Sequence, residues 1–110
     1  MEYLFSYGTL QQEKTQLELF GRRLKATKIA LHGFKIASIE ITDEAFLARG
    51  EEKYQKTLVD THDKKDVVEG SMLEVTEAEL LQADKYEPEN YNRIKVDLNT
   101  ENNVWIYVAG

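Results

Sequence analysis

Two short stretches concentrate the side chains able to do chemistry. The first, Asp84-Lys85-Tyr86-Glu87-Pro88-Glu89-Asn90-Tyr91-Asn92-Arg93, packs three carboxylates, two phenols and a guanidinium into one connection. Acids in that number are compatible with general acid–base work, in which one group takes a proton and later returns it. Most such runs are solvated surface, and spacing alone does not select the buried acid. Glu87, flanked by Tyr86 and held out of helix by Pro88, is the best placed to point inward. Glu89 reads as a solvated turn acid, and Asp84 can equally cap a helix or pair with Arg93. The second stretch is Tyr7-Gly8-Thr9-Leu10, at the end of an apolar run. Gly8 lets the chain bend and a ligand approach with no Cβ in the way, so that successive backbone N–H groups can meet an anion. The plainer alternative is that Gly8 only supplies a turn and Thr9 caps the following helix.

Other chemistries find less support. There is no GxGxxG after the first strand, no GxxxxGK[ST], no HExxH and no GxSxG. Ser6, Ser38 and Ser71 with His32 or His62 offer the parts of a hydrolytic triad, but no spacing singles out a pair. Asp60-Thr61-His62-Asp63 offers metal-grade oxygens and nitrogen, yet such a charged cluster is more often a solvated turn. The absence of cysteine removes disulfides, thiolate nucleophiles and Cys-ligated zinc or iron–sulfur centres. Fourteen Lys and Arg against twenty Asp and Glu leave a charge of −6, which opposes nucleic acid and anionic lipid as partners.

The elements that must position these stretches follow from patterning. With 110 residues, 42% of them apolar, the chain is expected to form a single domain over 1–110. No apolar run approaches the roughly 18 residues of a membrane span, and Met1-Glu2-Tyr3 lacks the flank of a signal peptide, so a soluble cytoplasmic protein is expected. Met1 to Tyr7 reads as a strand, and the polar run from Gln11 as a short helix closed by Gly21. Between Leu24 and Ile41 two antiparallel strands are expected around a hairpin at His32-Gly33. From Thr42 to Asp66 the pattern weakens into a long loop or flap, with Thr57-Leu58-Val59 its only candidate strand. Val67 to Val75 reads as extended, and Thr76-x-x-Glu79 matches a capping box for a helix from Glu77 to about Lys85, ended near Tyr86 by Pro88. Ile94, Val96 and Leu98 alternate with polar residues, and after an Asn-rich turn at Asn99 to Asn103 the run Val104 to Val108 can pair with them. Five to seven strands with two short helices give an α+β fold, and the loose alternation favours a sheet curled into a small mixed barrel.

Taken together, the two stretches resemble the γ-glutamylcyclotransferase-like family, and in particular its short bacterial, γ-glutamylamine cyclotransferase-like branch. Tyr7-Gly8-Thr9-Leu10 is similar to the family's YGTL substrate loop, and Leu19-Phe20-Gly21-Arg22 and Leu31-His32-Gly33-Phe34 to its later landmarks. Val68 to Thr76 is similar to its G-x-(hydrophobic)-x-V-T segment, and Asp84-Lys85-Tyr86-Glu87 with Tyr91 and Arg93 to its D-x-Y-E-x-x-x-Y-x-R. The resemblance implies a small mixed β-barrel with flanking helices. It also implies Glu87 as the catalytic acid–base and a cavity lined by Tyr7, Gly8, Thr9, Leu10 and Tyr91. The implied substrate is a γ-glutamyl amine or related amide, whose own α-amine closes a ring to release 5-oxoproline and a free amine, with no cofactor. A non-catalytic binding or interaction module on the same fold is the alternative from another class. The residues carry no signal for an oligomeric state. Pro88 stands where a glycine is common in the family, and Tyr54-Gln55 where members often show a residue followed by proline, so a differently shaped flap is expected. The chain ends at Gly110 after the last strand, so contacts that longer relatives place in a C-terminal extension are expected to be missing.

Overall fold

The computed structural model describes residues 1–87, 91–97 and 103–109. Pro88, Glu89, Leu98 and most of the Asn-rich turn lie outside them. Strand β1 (Glu2–Ser6) sits at the middle of a five-stranded sheet, antiparallel to β5 (Val67–Val75) on one side and parallel to β7 (Asn103–Ala109) on the other. β2 (Ala26–His32) adds to β5, and β6 (Tyr91–Asp97) adds to β7, giving the order β2-β5-β1-β7-β6. β3 (Phe34–Glu40) and β4 (Tyr54–Asp60) form a second, two-stranded sheet. Helices α1 (Glu13–Phe20), α2 (Glu44–Ala48) and α3 (Glu77–Tyr86) complete the α+β fold, with a 3-10 turn at Thr9–Gln11.

The weak alternation of the strand sequences has a physical source in β1. Leu4 packs with Leu73, Val75, Leu80 and Ala83, whereas its neighbour Phe5 packs with Leu31, Leu58, Val68 and Ile106. Successive strand side chains point to opposite faces, so β1 is covered on both, by α3 on one side and the second sheet on the other. A strand with two dry faces has no reason to alternate apolar with polar. Gly70 of β5 is part of this packing, because a Cβ there would lie 2.5 Å from the Ser6 carbonyl oxygen and 2.7 Å from Phe5 Cζ.

Three expectations are corrected. β2 and β3 do not form a hairpin: β2 pairs with β5 and β3 with β4. Gly33 has φ +86, a left-handed bend open to glycine, and there the chain passes from one sheet to the other. Its N–H donates to the Asp66 carbonyl and its carbonyl accepts from the Thr61 N–H, each at 2.8 Å. Residues 61–66 are thereby an insertion that splits one long ladder, β2–β3 against β4–β5, into two. The second correction is that residues 42–66 are not a loop. They hold α2, capped by Asp43 Oδ1 accepting from the Ala45 and Phe46 N–H groups, and all seven residues of β4. Finally, among the described residues the sheet does not close into a barrel. Where closure would bring β4 against β6 and β7, side chains make the bonds instead: the Ala109 N–H donates to Thr57 Oγ1 at 2.9 Å, and the Tyr91 hydroxyl to the Lys56 carbonyl at 2.8 Å.

The local signals at helix ends hold. Gly21 takes the left-handed position after α1, with φ +73. The capping box is complete, with Glu79 N–H donating to Thr76 Oγ1 at 3.1 Å and Thr76 N–H to Glu79 Oε1 at 2.8 Å. The same carboxylate binds the Arg22 guanidinium through both oxygens, at 2.8 and 2.7 Å, which ties the end of α1 to the start of α3.

Candidate functional site

The seam between the two sheets is where the sequence-selected residues meet. A cavity of about 300 Å³ opens there, walled by the end of β1, the Tyr7 to Leu10 connection, β4 and the end of α3. Tyr7, Gly8, Thr9, Leu10, Glu87 and Tyr91 all line it. Sequence reasoning did not anticipate Phe46, Glu51, Glu52, Tyr54 and Tyr107, which also line it. Most of these come from the region read as a loop. The signal that could have found α2 was present: an Asp43 cap, helix-forming residues to Ala48, and Gly50 at φ +84 just past the end.

The Tyr7 to Leu10 connection is held from several directions. The Gly8 N–H reaches Ser6 Oγ at 3.3 Å, and the Thr9 hydroxyl meets the Tyr86 hydroxyl at 3.1 Å. Thr9 therefore faces α3 and does not cap α1, whose N-cap is Gln12. Buried Gln16 donates to the Leu10 carbonyl at 2.8 Å and accepts from the Leu24 N–H at 2.9 Å, fixing the far end of the turn. The N–H groups of Thr9 and Leu10 head the 3-10 turn, where a helix has no internal acceptor for them. A Cβ at Gly8 would meet nothing within 4 Å, which leaves that wall open.

Glu87 follows α3 directly, with ψ 155, the extended value that a residue before proline prefers. Its N–H still donates to the Ala83 carbonyl at 3.1 Å, so the helix end sets where its side chain begins. Among the described residues no side chain hydrogen-bonds its carboxylate. Burial pushes its pKa up to about 7; nearby Arg49 opposes this, while Asp84 and Glu51 add to it. Burial likewise raises the Tyr7 phenol, and pushes Tyr91 up to about 12, with Glu87 adding to both. The Tyr7 and Tyr91 phenols are therefore neutral hydrogen-bonding groups at neutral pH.

Asp84 behaves differently from Glu87 despite being three residues away. Burial raises its pKa, but bonds from Arg93 Nε at 2.7 Å, Arg93 Nη2 at 3.1 Å and the Tyr107 hydroxyl at 2.7 Å prevail and hold it below the ordinary value. The Arg93 guanidinium lies 4.3 Å from the Trp105 ring, and the Trp105 indole N–H donates to Glu2 at 2.8 Å. Of the alternatives for Asp84, pairing with Arg93 is the one observed, and it anchors the end of α3 to β6 and β7. The two acids thus separate by environment, one ionised and structural, the other poised near neutrality.

Of the remaining sequence candidates Ser6 lines the cavity, but neither His32 nor His62 does. The Ser71 hydroxyl donates to Gln11 Oε1 at 2.9 Å, and His32 Nδ1 lies 3.2 Å from the Lys64 carbonyl, so these do not assemble a triad. Asp60 to Asp63 forms an exposed turn, in which the Asp60 carboxylate accepts from the His62 N–H at 2.9 Å. Among the described residues no helix is long and apolar enough to cross a membrane.

Comparisons with known proteins agree with this architecture. The family model described as gamma-glutamyl cyclotransferase, AIG2-like, matches residues 4–110, and the chain belongs to that family. Two Arabidopsis thaliana solution structures share its fold. One, of At3g28950.1, has a TM-score of 0.70 at 21% identity over 98% of this chain and 61% of its own. The other, of At5g39720.1, has a TM-score of 0.69 at 20% identity over 98% of this chain and 68% of its own. The chain thus spans about three fifths of the first plant protein. No curated protein matches it significantly.

Proposed function

We propose that the chain is a single-domain cyclotransferase that converts a γ-glutamyl amine or related γ-glutamyl amide into 5-oxoproline and a free amine, with Glu87 as its acid–base. The observation that carries the reading is a carboxyl with a pKa of about 7 on the wall of the same cavity as the Tyr7 to Leu10 turn. The substrate's α-amine attacks its own γ-carbonyl carbon, and a C–N bond forms as the carbonyl π electrons move to oxygen. Glu87 takes a proton from the attacking nitrogen and gives it to the departing nitrogen. The tetrahedral centre then re-forms its carbonyl, and the bond to the leaving amine breaks. Atoms balance without water, metal or cofactor.

Few residues suffice because the nucleophile is tethered to its electrophile, and the enzyme has mainly to hold the folded conformer. The substrate's α-ammonium gives up one proton before it attacks, more readily to a base of pKa about 7 than to one of about 4, and the departing amine, the stronger base, carries that proton away as its ammonium. The N–H groups of Thr9 and Leu10 are the donors we assign to the developing oxyanion or the α-carboxylate; one such donor contributes about 3 kcal/mol to a transition state. A cavity of about 300 Å³ is at the small end for ligand sites, which suits a γ-glutamyl head with its leaving amine toward the Glu51 and Glu52 rim.

The test is 5-oxoproline release from a panel of γ-glutamyl amines and amides by wild type and Glu87→Gln. Release by wild type and a loss of about 100-fold or more in the variant is expected. Equal release by both removes Glu87 from the reaction. No turnover on any member, with thermal stabilisation by 5-oxoproline, replaces the enzyme with a binding module.

A further inference from the structure

Arg49 ends the α2 segment and is exposed, and it is not among the residues that wall the cavity. Three contacts nonetheless fix its guanidinium. Nη2 donates to the Tyr86 carbonyl at 2.8 Å, which is the carbonyl of the peptide unit joining Tyr86 to Glu87. Cζ lies 5.0 Å from the Phe46 ring centroid and 5.7 Å from that of Tyr86. Both rings line the cavity, so the cation is stacked against its outer wall. An exposed arginine is ordinarily free to move among rotamers; this one spans from α2 to the last peptide before the proposed base.

We propose that Arg49 is a positioning residue for Glu87, holding the Tyr86–Glu87 peptide by its carbonyl while keeping a fixed positive charge beside the carboxylate. The surroundings of Glu87 make that charge consequential. Asp84 at the end of α3 and Glu51 after α2 both disfavour its ionisation, as does burial, and Arg49 is the cation that opposes them. The phenols of Tyr7, Tyr91 and Tyr107 face the same space and are neutral, and Glu52 and Lys56 stand on the cavity wall contributed by β4 and the residues before it. Without Arg49 the balance shifts toward a carboxyl that stays protonated at neutral pH and cannot accept a proton. The peptide bond ahead of it would also lose its tether.

The inference takes Glu87 as the base from the reading above, and its test separates the two. The Glu87 side-chain carboxyl is followed by carbon-13 NMR across pH, assigned by its loss in Glu87→Gln, in wild type, Arg49→Lys and Arg49→Gln, with Arg49→Met used if glutamine leaves the protein unfolded. The titration midpoint of Glu87 is expected to move to higher pH in Arg49→Gln or Arg49→Met and to return close to wild type in Arg49→Lys, which keeps the charge. In parallel, 5-oxoproline release by the uncharged variant should fall several-fold further at about pH 6 than at about pH 9, with the pH-dependent part restored by lysine. A loss common to all pH values reads the missing bond to the Tyr86 carbonyl. An unchanged Glu87 midpoint in the uncharged variant overturns the proposal. A shifted midpoint with no turnover by any of the proteins overturns the cyclotransferase reading and leaves Arg49 in its place.

Discussion

Replacing Glu87 by glutamine should stabilise the protein at alkaline pH while abolishing turnover. The carboxyl moves from an ordinary 4.5 to about 7 on folding, mainly through burial. Between those values the folded chain keeps a proton that the unfolded chain has released, so stability falls as pH rises from about 4.5 and is fully diminished above about 7. At about 1.4 kcal/mol per pH unit the displacement corresponds to about 3 kcal/mol. The residue keeps some contact with solvent, and screening brings the expected figure to about 1–2 kcal/mol. Glutamine has the same shape and no charge to desolvate. Urea unfolding at about pH 4 should therefore give the two proteins equal stability, and at about pH 8.5 the variant should be more stable by that amount, several degrees in melting temperature. An offset of the same size at both pH values, or a less stable variant at the higher one, refutes the claim that the folded environment penalises the charged carboxylate. A more stable and inactive variant is the signature of a site held at a cost to the fold.

Two glycines make a paired test of packing against function. Gly70→Ala places a methyl against the Ser6 carbonyl and the Phe5 ring, and thermal unfolding should show a loss of about 2 kcal/mol or more. Gly8→Ala has open space, so its melting temperature should stay near wild type while kcat/KM falls roughly tenfold, because the methyl stands where a substrate would approach. Asp84→Asn removes the charge that binds Arg93. The stability it forfeits should be present at neutral pH and shrink below about pH 4, since a carboxylate with a lowered pKa contributes above its unfolded value and ceases to as it protonates. The same substitution takes away a charge that raises Glu87, so the midpoint of Glu87 should move down, opposite to its response when Arg49 is neutralised.

Features that depend on a few neighbours in the chain are legible in the amino-acid sequence by itself. The capping box at Thr76 and Glu79 and the Gly21 helix end are of this kind, because a hydroxyl three residues from an amide, or a glycine in left-handed conformation, needs no distant partner. The stop of α3 at Tyr86, the extent of β5 and the two chemically dense stretches are legible for the same reason. Only the tertiary structure decided the rest. The segment around Gly33 has the local marks of a hairpin, yet partners from β4 and β5 pull its halves into different sheets. β4 carries exposed residues along much of its length, so its pairing with β3 rather than its own pattern makes it a strand. Asp84 and Glu87 are both acids within one short stretch of sequence. What separates them is a guanidinium and a phenol brought to the first from β6 and β7, and a cavity wall closed around the second by the turn after β1, β4 and α2. A pKa depends on what surrounds a carboxyl in three dimensions, and those surroundings come from segments distant in the chain.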